Sequence, residues 1–147
     1  MKLRVLWPGK TKQLYYREAI DDYASRIRKF IRFEIVETRE ESRTDKQRKV
    51  RVRKESASLA VQRKAPVSVF LNSSGKQFSS GEFAGWLEKI QTDIDFVLGG
   101  PEGTLVPDDA VKLSFGKMTL PHELARVVLL EQIYRALTIL KKIPYHK

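Results

Sequence analysis

Apolar residues recur along the chain in two rhythms, and the switches between them mark the elements. "KLRVLW" (2–7) alternates as a strand does, and "PGKT" turns the chain out of it. From Lys12 onward, Tyr16, Ile20, Tyr23, Ile27 and Phe30 return every three or four residues, which is the stripe of one helix. "FEIVE" (33–37) predicts a second strand, and 43–63 a helix whose few apolar contacts are Val50, Leu59 and Ala60. "VSVFL" (67–71) predicts a buried strand ended by "NSSGK". Ser79 with Glu82 three residues later forms a capping box, opening a helix that carries Phe83, Trp86, Leu87 and Ile90. "IDFVL" (94–98) predicts a strand, a short helix is expected near Pro107, and "VKLSF" (111–115) predicts the last strand. Pro121, at the favoured first-turn position, opens a final helix to about Lys141. Strands alternating with helices predict one α/β domain over 1–147, a mainly parallel sheet with helices on both faces.

The final helix departs from the usual one-sided pattern. Ala125, Leu129, Ile133, Ala136, Leu137 and Leu140 form one apolar face, and Val127, Val128 and Tyr134 fill much of the remainder. Only a thin polar strip of Glu131, Arg135 and Thr138 is left. A helix apolar nearly all round must be covered on both sides. A chain of this size covers one side with its own sheet, so a second copy across a two-fold axis is expected on the other, giving a homodimer.

Composition then removes whole classes of chemistry. There is no cysteine, which excludes disulfides, thiolate catalysis and cysteine-ligated metals. With two histidines, His122 and His146, no metal site is expected. The N-terminus shows no long apolar stretch after its basic residue, so no signal peptide is expected. The longest apolar segment is broken by Arg126, Glu131 and Arg135 and does not predict a membrane span. A soluble, cytoplasmic protein is the expectation.

Charge adds a partner. The net charge is +10, and residues 1–64 hold 19 Lys/Arg against 9 Asp/Glu, whereas 65–120 hold 4 against 7. Within "RTDKQRKVRVRK" (43–54) seven residues are basic and one is acidic. Such a run, including Arg48, Lys49, Arg51 and Arg53, attracts nucleic acid through counterion release. A solvated helix face with surplus cations is the alternative.

"FVLGGPEG" (96–103) stops an apolar run at two glycines, a proline, a glutamate and a third glycine. A dinucleotide fingerprint needs three spaced glycines after the first strand, and this turn fails on spacing and position. It also carries an acid where phosphate would sit, so it is no phosphate cradle. Glycines at the carboxyl end of a parallel strand can instead admit a flat, neutral group such as an adenine ring. A plain tight turn is equally compatible.

"FVLGGPEG", then "SFGKMTLPHELARVVLLEQIYRA" and the closing "PYHK" resemble the RlmH family, S-adenosylmethionine-dependent methyltransferases of the SPOUT class. Members act on pseudouridine in large-subunit ribosomal RNA. "VFLNSSGKQFSSGEFA" (69–84) is also similar to the family. The resemblance implies a C-terminal trefoil knot holding the cofactor mostly by main chain. Carried onto this chain, the cofactor positions are Leu71, Gly99 and Gly100, and Phe115, Gly116, Lys117, Met118, Thr119 and Leu120. The glycines would then leave room for adenosine. The resemblance also implies that the tail lines the active site from the partner subunit, with Tyr145 and His146 positioning the target base and assisting proton removal, and Lys147 on backbone phosphate.

The implied reaction methylates ring nitrogen 3 of a pseudouridine in 23S rRNA, on the ribosome. Alternatives are a related tRNA methyltransferase or a non-catalytic RNA-binding domain. The acceptor nitrogen bears an acidic imide proton, and histidine is the natural acceptor near neutral pH. His122, in a first helical turn, suits a neutral hydrogen-bonding role. Arg126 and Arg135 could reach RNA, although Glu131 to Arg135 is also a favourable ion-pair spacing.

Overall fold

The computed structural model describes residues 1–42 and 47–147, so the first residues of the basic run, 43–46, lie outside the described residues. Five strands and four helices follow one another: β1 (Lys2–Pro8), α1 (Leu14–Arg28), β2 (Arg32–Thr38), α2 (Arg48–Gln62), β3 (Val67–Gln77), α3 (Ser80–Ile90), β4 (Ile94–Val97), β5 (Val111–Ser114) and α4 (His122–Leu140). The strands form one sheet in the order β2-β1-β4-β3-β5, and every pairing is parallel. All strands therefore deliver their carboxyl ends to the same side, where ligands of such sheets bind.

Period-two burial divides the sheet into two unequal faces. Leu3, Val5 and Trp7 of β1, Ile94 and Phe96 of β4 and Val69 of β3 lie under α1, α3 and α4, in one core with Ile20, Ile27, Phe83, Leu87, Leu129 and Ile133. The opposite face has a small core, Leu6, Phe70 and Val97 against Leu59 of α2, flanked by Val36, Val106 and Ala110. Each such side chain contributes about 1.5–3 kcal/mol on burial, so α2 is held by little apolar contact. Polar ties supplement it. Asp95, wholly buried, accepts from Arg4 Nε (2.8 Å) and from the N–H groups of Lys64 (2.7 Å) and Ala65 (2.9 Å), where the chain leaves α2.

Three local expectations are corrected. Strand β3 does not end at Leu71 but runs to Gln77. Leu71 and Lys76 both face Leu113, with a bulge between them. The polar "NSSGK" has a turn's composition, yet the edge strand β5 supplies a partner on its far side. Gly75 makes this possible: a Cβ there would lie 2.6 Å from the Leu113 nitrogen. No helix forms near Pro107, where a single turn closes from the Ala110 N–H to the Pro107 carbonyl (3.2 Å). Thr138, assigned to the polar strip of α4, is fully buried and donates to the Arg135 carbonyl (2.7 Å).

The capping box is present as expected, with Ser79 accepting from the Glu82 N–H and Glu82 from the Ser79 N–H. Helix α4 starts one residue after Pro121, which takes the N-cap position. It ends in a Schellman motif, the Lys142 N–H reaching the Ile139 carbonyl (3.2 Å) and the Ile143 N–H the Thr138 carbonyl (2.9 Å). Lys142 takes the left-handed position at φ 57°. That turn sends the last residues back along the helix.

Candidate active site

Register brings the implied cofactor segments together. Phe70 pairs with both Val97 of β4 and Lys112 of β5, and Leu71 pairs with Leu113. Leu71, Leu98–Gly99 and Leu113–Phe115 thus stand at one level on three adjacent strands, and the chain leaves β4 and β5 there. Residues 117–119 are exposed, Met118 to 89 %. Gly116 takes φ 118°, a left-handed value open to glycine, and Ser114 Oγ both accepts from its N–H (3.1 Å) and donates to its carbonyl (3.2 Å). A hollow of about 240 Å³ adjoins this loop. Phe115, Gly116, Ser79, Ser80, Phe83 and Gln132 are among its walls, and Leu71, Gly99 and Gly100 are not.

The glycine turn has its own explanation. A Cβ on Gly99 would stand 2.5 Å from the Gly103 carbonyl carbon and 2.8 Å from the Thr104 nitrogen. Its missing side chain makes room for the turn's returning main chain. Gly100 faces Glu55 Oε1, 3.0 Å from a built Cβ. The expectation that these glycines clear space for adenosine is corrected on that point, and their peptide groups are what they can offer a ligand. Pro101 in second place and Gly103 in fourth suit the β-turn closed by the Gly103 N–H on the Gly100 carbonyl (3.0 Å).

One face of α2 grips this turn. Arg51 forms a two-pronged ion pair with Glu102 (2.7 and 2.9 Å), with Arg48 Nε 3.6 Å away. Ser56 Oγ contacts Thr104 Oγ1 (3.0 Å) and accepts from the Leu105 N–H (3.0 Å). Glu55, buried below the turn, accepts from the Glu41 N–H (3.0 Å). Burial, with Glu40, Glu102 and Glu41 nearby, pushes its carboxyl above the usual range. The acid that argued against a phosphate site is thus the anchor of the turn, and Arg51 is drawn onto it rather than left facing outward. Arg48, Lys49 and Arg53 are exposed.

Arg126 is corrected too. It is 1 % exposed, with its guanidinium stacked 4.8 Å from the Trp7 ring centre, donating to the Pro8 carbonyl (2.7 Å) and Thr11 Oγ1 (3.0 Å). One turn earlier, Glu123 accepts from the N–H groups of Lys12 (3.0 Å) and Gln13 (3.1 Å), which serves α1 in place of a local cap. Both residues clamp the β1–α1 loop against the start of α4, and Arg126, expected on RNA, is too buried to present its charge there. Sequence periodicity marks Arg126 as an interruption of an apolar run but not its burial, and gives no sign of Glu55 or Glu123.

The tail lies elsewhere. Tyr145 packs edge-on against Tyr134 (4.7 Å between ring centres), under the Arg135 guanidinium (4.8 Å). Arg135 Nη1 is 3.0 Å from His146 Nδ1, while its Nε donates to Glu131 (2.8 Å). Lys147 is exposed. Among the described residues the tail makes these contacts with Tyr134 and Arg135, near the carboxyl end of α4.

The parallel sheet, with its late strands ending in loops on one side and one long apolar helix after them, has the make-up of an α/β domain. The family described as "Predicted SPOUT methyltransferase" matches residues 1–146, and the chain belongs to it. Over the full length of both chains it is similar to proteins named ribosomal RNA large subunit methyltransferase H. It is 36 % identical to that of Clostridium beijerinckii, 38 % to that of Latilactobacillus sakei and 39 % to that of Limosilactobacillus reuteri.

Proposed function

We propose that the protein transfers a methyl group from S-adenosylmethionine to ring nitrogen 3 of a pseudouridine in large-subunit ribosomal RNA, as a cytoplasmic homodimer. The observation that carries the reading is end-to-end kinship with relatives named for methylation of large-subunit ribosomal RNA. The trefoil threading of the C-terminal segment is part of the same reading. The residues present suit the cofactor: an exposed loop at 117–119, apolar Leu71, Phe115 and Leu120, and a middle segment with seven acids against four bases, better matched to a sulfonium than to a phosphate. When bound, the cofactor supplies a methyl already activated by positive sulfur, so the chain's task is alignment.

The dimer is inferred from the apolar character of α4 beyond the side that its own sheet covers. Leu124, Val127 and Val128 on α4 are only half-buried and offer apolar surface for that contact. Arg48 and Lys49 lie in the first turn of α2, where the helix dipole disfavours cations, and exposed Arg53 follows one turn on. RNA phosphates there would relieve that cost, and this supports the α2 surface as the RNA contact. The test is purified protein, labelled cofactor and ribosomes lacking the modification. Label in large-subunit RNA at a pseudouridine is expected, and no incorporation into any ribosomal particle overturns the reading.

A further inference from the structure

The tail is ordered by contacts whose polarity is fixed. The left-handed Lys142 turns the chain back, Tyr145 is pinned between Tyr134 and the Arg135 guanidinium, and His146 Nδ1 meets Arg135 Nη1 at 3.0 Å. A guanidinium has five N–H donors and no acceptor. In that contact Nδ1 can only accept, so the imidazole carries its proton on Nε2. Neither the other tautomer nor the imidazolium can make it. Glu131 holds Arg135 from the opposite side, at 2.8 and 3.3 Å from Nε. His146 is itself exposed, which leaves Nε2–H free to meet a partner.

We propose that His146 serves methyl transfer as a hydrogen-bond donor through Nε2–H to a carbonyl oxygen of the target base, in a tautomer set by the positioning residue Arg135. This rests on the reading that the acceptor is an imide nitrogen, and it replaces the proton-accepting role expected from sequence. The N3 proton passes to water. The negative charge left behind spreads over N3 and the two carbonyl oxygens that flank it, and a donor aimed at one oxygen stabilises it. The N3 pair then forms the new N–C bond as the S–C bond breaks, its electrons remaining on a neutral thioether. Tyr145 fits the same division of labour. Burial, and a hydrogen bond with Tyr23, push its phenol up to about 12, so it too is a donor at neutral pH.

Nitrogen-15 NMR of the protein without cofactor or RNA reads the tautomer directly, the signal lost in His146→Gln being that of His146. An Nε2–H tautomer is expected, reverting to a mixture in Arg135→Ala and restored in Arg135→Lys. A predominant Nδ1–H form, or no change in Arg135→Ala, overturns the assignment. In methyl-transfer assays His146→Ala is expected to lose about 10²–10³-fold, as when one donor to a developing oxyanion is removed. His146→Gln, whose amide can donate from the Nε2 position but cannot take a proton, should recover most of that loss, and His146→Asn should not. A glutamine variant as inactive as alanine overturns the donor role. Wild-type protein that methylates no ribosomal RNA overturns the proposed function and the donor role with it, while the NMR result still decides whether Arg135 sets the tautomer.

Discussion

Arg126 keeps a cation out of water, with two carbonyl or hydroxyl partners and an aromatic face; among the described residues no carboxylate is in direct contact and its Nε has no partner. Burial lowers its pKa from the ordinary arginine value. Arg126→Met should reduce stability in chemical denaturation, by about 1–3 kcal/mol for the acceptors left unpaired, and leave the salt dependence of RNA binding unchanged. Gly99→Val should destabilise the fold rather than merely weaken ligand binding, since overpacking costs ~1–3 kcal/mol and the obstructing atoms are backbone. Asp95 carries a pH dependence. Burial opposes its ionisation, but the Arg4 guanidinium and the Ala65 and Lys64 N–H groups hold its carboxyl below the ordinary 3.8. Because the folded value is depressed, its contribution is complete above the unfolded value and is lost as pH falls through the folded one. Asp95→Asn should flatten the acid limb of the stability curve and, by stranding Arg4, cost about 3–5 kcal/mol at neutral pH.

At the scale of elements, α2 is the instructive case. Its sequence reads as a cationic helix with few apolar contacts, and the run of charge is correctly visible there. What composition cannot convey is that Arg51 and Ser56 turn inward to the 102–105 segment, because their partners lie 48 to 51 residues away. Replacing Arg48, Lys49 and Arg53 by glutamine should therefore reduce the salt slope of RNA binding by roughly 0.7–0.9 for each phosphate no longer neutralised, with little effect on the fold. Local signals fared best where the partner is local: the Ser79–Glu82 box and the α1 stripe lie where periodicity places them. They failed where a distant edge decides. Strand β3 continues past Leu71 because β5 receives it, and the pairing of His146 with Arg135 needs a left-handed lysine that no residue-type preference announces.

At the scale of the whole molecule, the proposed dimer leads to a prediction about pairs of chains. Mixing a chain lacking residues 145–147 with one carrying Gly116→Val, which strains the φ 118° position of the cofactor loop, should restore methyl transfer that neither variant performs alone. Each mixed pair then retains one intact loop and one intact tail in the same composite site. Equal inactivity of the mixture, with mixed pairs verified by mass spectrometry, would show that loop and tail are needed from a single chain.

Strand β4 has four residues, Ile94–Val97, and among the described strands it alone hydrogen-bonds the β2–β1 half of the sheet to the β3–β5 half. It is the central strand and among the last to be synthesised. While the chain is emerging, β1 and β3 each keep an unsatisfied edge until residue 97 has cleared the exit tunnel, with a crossover of long sequence separation still to close. Nascent chains arrested before that point should be readily digested by protease, and protection should rise abruptly once β4 is available. A protein whose proposed substrate is ribosomal RNA would thus spend much of its synthesis with the β1–β2 pair and β3 unjoined, awaiting one short strand.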